Sequence, residues 1–389
     1  MSPVGIDQIS FYTSNYFLDL RTLATAQDTD PDKYYVGIGQ EKMGMPAHDE
    51  DVVTMAASAA LPLFADEQSK DVSTLLFATE TGIDQSKAAG VYVHRLLGLN
   101  DNCRIVELKQ ACYSATAAVQ MACALVARQP EKKVLVIASD IARYDLDTPG
   151  EATQGCGAVA IMVKANPRIL EIEPEVGNYT EDVMDFWRPN YRKTALVDGK
   201  YSTKIYLKSL KRAWENFRGA SNSAFGEFSH FCYHLPFSRM AQKAHKHLAK
   251  VNQVDLEPQQ LASQIEDSLL YNKLIGNSYT ASLFIGLTSL LENCKDNLSG
   301  KRVGFFSYGS GCVAEFFSGK VVEGYEKWLF TELHMSMLDS RKELAYEEYL
   351  ALYQAPDPQQ GEVCDIAPDT TGAFRLSAIA EHKREYIAI

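Results

Sequence analysis

Apolar positions fall into two patterns along this chain. VGIDQISFY (4–12) reads as an opening strand, and VSTLLFATETG (72–82), KKVLVIASD (132–140) and GCGAVAIMV (155–163) contain runs of successive apolar positions. Such runs predict strands covered on both faces. Between them, DLRTLATAQD (19–28), DEDVVTMAASAALPLF (49–64) and SKAAGVYVHRLLGL (86–99) have helical spacing, the second with acidic residues at its start and the third stopped by Gly98. IYLKSLKRAWENF (205–217) is a further helix, with Leu207, Leu210, Trp214 and Phe217 on its core face and Lys204, Lys208 and Lys211 on its wet one. Strands alternating with helices indicate an α/β layered protein. DPDKYYVGIGQ (30–40) reads as a structured loop, and 178–203 as an irregular aromatic excursion. Beyond about residue 335 the chain is charged and weakly periodic, which predicts peripheral helix and strand.

The stretch ELKQACYSATAAVQMACALVAR (107–128) organises the rest. CRIVEL (103–108) leads into it as a short buried strand, and a small-residue helix follows. Cys112 stands at the junction, where free backbone N–H groups and the helix dipole favour a thiolate. Small neighbours leave room for a substrate, so Cys112 is a candidate nucleophile for acyl transfer. A buried, inert cysteine is the competing reading.

The second half repeats the first in order. QACYSATAAVQMACALVA aligns with IGNSYTASLFIGLTSLLE, KKVLVIASD with KRVGFFSYG, and VSTLLFATETG with FSHFCYHLPFS, at nearly constant spacing. These pairings set Cys112 against Asn277 and Glu80 near His234. In open α/β sheets, sites lie beyond the carboxyl ends of strands, so the four converge. Two unrelated βα segments are the plainer explanation, and the ordered repeat outweighs it.

Composition narrows the class. A net charge of −12 argues against nucleic acid or an anionic membrane as the main partner, and an anionic ligand needs a local basic patch. No cationic-then-apolar leader opens the chain, no apolar run reaches bilayer length, and the eight cysteines include no CxxC pair. A cytoplasmic globular protein is expected.

Glu80 closes a buried strand, where desolvation raises a carboxyl toward the range of a general base; a strand-end carboxylate in water is the alternative. Phe228, His230, Cys232 and His234 share one strand face, but three alternate positions on one strand suit a tetrahedral zinc poorly, so metal is discounted. His245 and His247 look like a solvated helix face. SYGSGC (307–312) is a glycine-flanked turn whose N–H groups suit an oxyanion. Arg239, Lys243 and Lys246 form a cationic strip suited to a nucleotide phosphate, or an ordinary wet helix face.

GIGQEKMG, ELKQACY, YTEDVMDFWRP, VDGKYS, GNSYT and FSYGSG, in that order, resemble 3-hydroxy-3-methylglutaryl-CoA synthases, most of all the compact bacterial form within the thiolase superfamily. The likeness runs from about residue 4 to 322. It implies a duplicated thiolase-like fold in five αβαβα layers, halves at 1–168 and 169–389, and a homodimer. It also implies that Cys112 carries acetyl as a thioester, that Glu80 removes its methyl proton, and that His234 holds acetoacetyl-CoA and acts as acid. Asn277 would contact the same substrate, and Ser310 would lend its N–H, with that of Cys112, as oxyanion hole. Tyr144, Thr153, Phe186, Ser202 and Pro236 match acyl-pocket positions, Asp30 and Pro31 a loop bordering CoA, and Lys243 a CoA contact. Arg239 stands where a lysine is usual, which keeps charge but changes geometry. Acetyl-CoA and acetoacetyl-CoA are the implied substrates, with no metal or redox cofactor. Glu80 argues against a type III β-ketoacyl-carrier-protein synthase, which makes its carbanion by decarboxylation. A thiolase would need a second catalytic cysteine, for which Cys312 is poorly set. A β-branching synthase with a carrier-protein acceptor and a non-catalytic partner protein are the remaining alternatives.

Overall fold

Two-sided burial explains the uninterrupted apolar strands. In Val134–Ala142 every residue except Ile141 is buried. In Thr74–Ala78, Leu75 and Phe77 pack with helix Val52–Ala60, whereas Leu76 and Ala78 pack with helix Ser114–Arg128. The structure, a computed structural model, describes residues 2–65, 71–356 and 363–389. Nine of its strands follow one another in a sheet in the order 230–233, 302–309, 313–321, 170–172, 4–12, 155–165, 134–142, 74–78 and 104–108, and 177–180 adds to 313–321.

The short strand Leu170–Ile172 pairs with both Val4–Tyr12 and Val313–Val321 and so joins two arms. One hydrophobic cluster lies between the arms, around helices Ser114–Arg128 and Ser282–Asn293. A second cluster joins the first arm to helices Val52–Ala60 and Ala89–Leu97. A third joins the second arm to helices Gly199–Ser221 and Arg239–Val251. Helix, sheet, helix, sheet and helix follow in turn, the expected thiolase-like layering. Strand Thr74–Ala78 runs parallel to Arg104–Leu108 and Val134–Ala142, and His230–Tyr233 parallel to Arg302–Gly309. Parallel pairing brings carboxyl ends together, and Glu80, Asp140 and His234 follow from there.

Four expectations change. The strand within CRIVEL is not buried: Arg104–Leu108 is the last strand of the sheet among the described residues, and Val106 is 41% exposed. The 178–203 excursion carries a small hairpin, Phe186–Trp187 with Leu196–Val197. His245 is not solvated but fully buried, held by Tyr233 Oη and Gln264 Oε1, each at 2.8 Å. The tail is helix and strand as expected, apart from 357–362, which lie outside the described residues. It is nonetheless part of the core, because Tyr349, Phe374 and Leu376 are buried and Arg375 Nε lies 3.0 Å from Asp49. No helix among the described residues is long and apolar enough to cross a membrane.

Helix Gly199–Ser221 lies against strand Gly177–Thr180 because Gly177 has no side chain; a Cβ there would overlap the backbone of Ala213 and Phe217. Backbone cannot rotate aside, so Gly177→Ala should cost about 1–3 kcal/mol, as overpacking does. Urea unfolding midpoints check this; an unchanged midpoint would mean the helix shifts freely.

Candidate active site

The turn before helix Ser114–Arg128 fixes Cys112. Ala111 adopts φ +42, a left-handed conformation that side-chain-bearing residues seldom hold. Ser114 Oγ secures it, accepting from Gln110 N at 2.5 Å and donating to Ala111 O at 2.9 Å. Cys112 Sγ then donates to Glu80 Oε1 at 3.0 Å. This pairing overturns the expectation of a free thiolate. Burial, and next the Glu80 carboxylate, push the thiol well above its usual range, and the helix begins only at Ser114.

Glu80 is itself held by a carboxylate that sequence reasoning missed. Asp140 accepts from Thr79 Oγ1 at 2.8 Å, Glu80 N at 2.9 Å and Thr81 N at 3.0 Å, and from Thr280 N at 3.1 Å. Burial, followed by the charge of Asp140, raises the Glu80 carboxyl to about 8, against weaker lowering by the Cys112 hydrogen bond and Arg188. The signal was present in the sequence, since Asp140 ends an otherwise apolar strand.

His234 follows strand His230–Tyr233, and burial lowers it to about 3, so the ring is neutral. Ser282 Oγ accepts from Leu235 N at 3.3 Å and lies 2.8 Å from His234 Nδ1. Ser282 thereby ties the orientation of the His234 ring to the backbone at Leu235. Asn277 is buried, its Oδ1 accepting from Tyr279 N at 2.8 Å and its N–H donating to Thr153 O at 3.2 Å.

Tyr144, Phe186, Tyr279 and Ala195 form an apolar pocket wall against Cys112, with the Phe186 and Tyr279 rings 5.8 Å apart. The Thr153 hydroxyl donates to Gly150 O at 2.7 Å, and Pro236 is half-buried two residues after His234. Asp185, also missed, secures the glycine turn: its carboxylate accepts from Tyr308 Oη at 2.6 Å and Gly311 N at 2.9 Å, on either side of Ser310, and from Ser202 Oγ at 3.0 Å. Gln110 Nε2 donates to Ser310 O at 3.3 Å, and a Cβ on Gly309 would come within 2.5 Å of Gln110 O. The turn therefore sits on the Cys112 junction.

The other predicted residues lie at the surface. Asp30, Pro31, Arg239 and Lys243 are exposed; the 30–40 segment, expected as a loop, forms a helical turn over Lys33–Ile38 and meets helix Arg239–Val251 at Gly39, with a cavity of about 230 Å³ lined by Tyr35, Gly39, Arg239 and Lys273. His230 does not meet Cys232 and His234 at a common point; Cys294 and Asp267, from other elements, lie beside it.

A family model described as "Hydroxymethylglutaryl-coenzyme A synthase N terminal" matches residues 2–167, and its C-terminal counterpart matches 171–261 and 245–363. The chain belongs to the hydroxymethylglutaryl-CoA synthase family. It is 42% identical to the Hydroxymethylglutaryl-CoA synthase of Enterococcus faecalis, covering 98% of this chain and 99% of that one. A crystal structure of an HMG-CoA synthase complexed with CoA superposes with a TM-score of 0.94 at 40% identity, over 100% of both chains. A second, MvaS in complex with 3-hydroxy-3-methylglutaryl coenzyme A, gives 0.90 at 35% identity, over 100% of this chain and 99% of that one. The family identifies the chain as an enzyme of acyltransferase type with a thiolase-like fold.

Housing Glu80 in this setting has a pH signature. The folded state raises its pKa above the ordinary 4.5 to about 8, so the native state holds the proton more tightly. Stability on this account is undiminished below about 4.5, falls as pH rises through the window, and is lowest above about 8. Glu80→Gln should therefore melt higher than wild type at pH 9, an advantage fading toward pH 4.5. Thermal melts across pH check this, and a gain that did not vary with pH would contradict the raised carboxyl.

Proposed function

We infer that the chain condenses acetyl-CoA with acetoacetyl-CoA and water to give 3-hydroxy-3-methylglutaryl-CoA and CoA, through an acetyl thioester on Cys112. The observation that carries this reading is the 3.0 Å contact between Cys112 Sγ and Glu80 Oε1. One carboxylate so placed serves two proton transfers. It takes the thiol proton as sulfur attacks acetyl-CoA, gives it to the departing CoA thiolate, and is then free to take a methyl proton from the acetyl group and form the enolate. The enolate attacks the ketone of acetoacetyl-CoA. His234, neutral and oriented by Ser282, is suited to hydrogen-bond that ketone, and the new alkoxide takes up a proton there. The N–H groups of Cys112 and Ser310 would receive the thioester oxyanion. Water then cleaves the product from Cys112. No step calls for a metal or redox group.

Asn277 is read as a contact to the acceptor, and Tyr144, Thr153, Phe186, Ser202 and Pro236 as the acyl-pocket positions. Arg239, Lys243, Asp30 and Pro31 would border CoA, where two exposed cations offset an acidic protein. Glu80 argues against decarboxylative condensation, and a carrier-protein acceptor has less support than free CoA. We read the halves as 1–168 and 169–389 and the enzyme as cytoplasmic, in the mevalonate route.

A homodimer fits the open strand edge at Arg104–Leu108. Val106 there, Met121 on helix Ser114–Arg128 and Val91 on helix Ala89–Leu97 are 41%, 48% and 40% exposed. Unpaired N–H and C=O groups beside apolar side chains suit edge-to-edge pairing of two copies.

Cys112→Ala should accept no label from acetyl-CoA. Glu80→Ala should still acetylate yet fail to condense, with a loss of at least ~10²–10⁴-fold. It should also fail to exchange the acetyl methyl protons with deuterated solvent. Mass spectrometry and product assay decide between outcomes; near wild-type condensation by Glu80→Ala would end this mechanism. In wild type, condensation should rise with pH toward about 8, as the Glu80 carboxyl loses its proton.

Val106→Lys should convert the dimer to monomer in sedimentation velocity. A wild-type protein that sediments as a monomer at micromolar concentration would remove the edge-pairing proposal.

A further inference from the structure

We propose that His230, Asp267 and Cys294 bind a zinc-like divalent transition-metal ion, away from the Cys112 pocket. The three residues come from three elements. His230 opens strand His230–Tyr233, Asp267 lies in the single turn Glu266–Ser268, and Cys294 caps the C-terminus of helix Ser282–Asn293. One ligand atom from each lies within 4.8 Å of the other two.

Distances and hydrogen bonding both favour a metal. Cys294 Sγ and His230 Nε2 are 3.8 Å apart. Tetrahedral zinc, with Zn–S near 2.3 Å and Zn–N of about 2.0–2.1 Å, holds such atoms about 3.6 Å apart. Rotation of the Asp267 side chain, whose carboxylate lies beside the Cys294 thiol, closes the third edge. The imidazole is also oriented from behind. Ser229 Oγ donates to Arg302 O at 3.2 Å and lies 3.0 Å from His230 Nδ1. Its lone pairs therefore accept the Nδ1 proton, which leaves Nε2 unprotonated and facing the cluster, the outer-shell arrangement that metal-binding histidines use. Asp296 adds negative charge to the surroundings, and Lys301 an opposing positive one.

One nitrogen, one sulfur and one carboxylate suit zinc or cobalt and not magnesium or calcium, which take oxygen ligands. On binding, the thiol releases its proton to solvent and a metal–thiolate bond forms, while water fills the fourth position. The ion would tie a helix end and a helical turn to the start of the strand that ends before His234. Four residues of strand separate it from that histidine by roughly 13 Å. Its effect is therefore on stability, and chemistry at Cys112 proceeds without it.

Titrating the full chain with Co²⁺ and then Zn²⁺ tests the site. Wild type should develop a thiolate-to-cobalt charge-transfer band that Zn²⁺ displaces, and Zn²⁺ should raise its Tm. Cys294→Ser should lose both responses, and Ser229→Ala should bind about 10–100-fold more weakly. Both variants, metal-free, should condense acetyl-CoA with acetoacetyl-CoA as wild type does. If Cys294→Ser matched wild type in spectrum and Zn²⁺ affinity, the ion would reside elsewhere and the proposal would fall. Should Cys294→Ser fold poorly, unchanged affinity in Ser229→Ala would overturn it equally.

Discussion

Asp140 is the group on which this site depends. Its two oxygens accept six hydrogen bonds, from Thr79 Oγ1, Glu80 N, Thr81 N and Oγ1, and Thr280 N and Oγ1. Those donors come from both repeats, since Thr79 to Thr81 follow a strand of the first arm and Thr280 lies in the turn Tyr279–Ala281 of the second. A buried carboxylate is tolerated only when its lone pairs are filled, so this network holds two loops in one geometry. Asp140 thereby sets where Glu80 points and contributes to its raised pKa.

The same logic recurs around the pocket. Asp185 holds the glycine turn through Tyr308 and Gly311, and Ser282 orients the His234 ring. Each constrains a candidate site group, in surroundings where a loose polar contact costs more than in water. Apolar rings of Tyr144, Phe186 and Tyr279 keep the dielectric low around Cys112. The same burial that raises Glu80 also keeps the Cys112 thiol protonated.

Much of the fold was legible in the sequence. Strands covered on both faces have no choice but successive apolar residues, and helices between them show their own period. The repeat was legible for the same reason, as like units must bury like surfaces. CRIVEL misled because β-branched residues mark strands without telling edge from centre. His245 misled because a helix face that looks polar is buried against Tyr233 and Gln264.

Glu80, Cys112 and His234 could be singled out by type and position, because strand ends and strand-to-helix junctions are where α/β folds place reactive groups. Local sequence carries that much: hydrophobic period, junctions, and residue chemistry. Protonation was beyond it. A thiolate at Cys112 followed from the helix dipole alone, whereas the folded chain sets a carboxylate 3.0 Å away. Such energies depend on burial and on partners distant along the chain, as with Ser282 for His234, Asp140 for Glu80, and Cys294 and Asp267 for His230. Only tertiary packing brings those partners within hydrogen-bond or ligand distance, and electrostatics in a low-dielectric interior then decides the charge each group keeps.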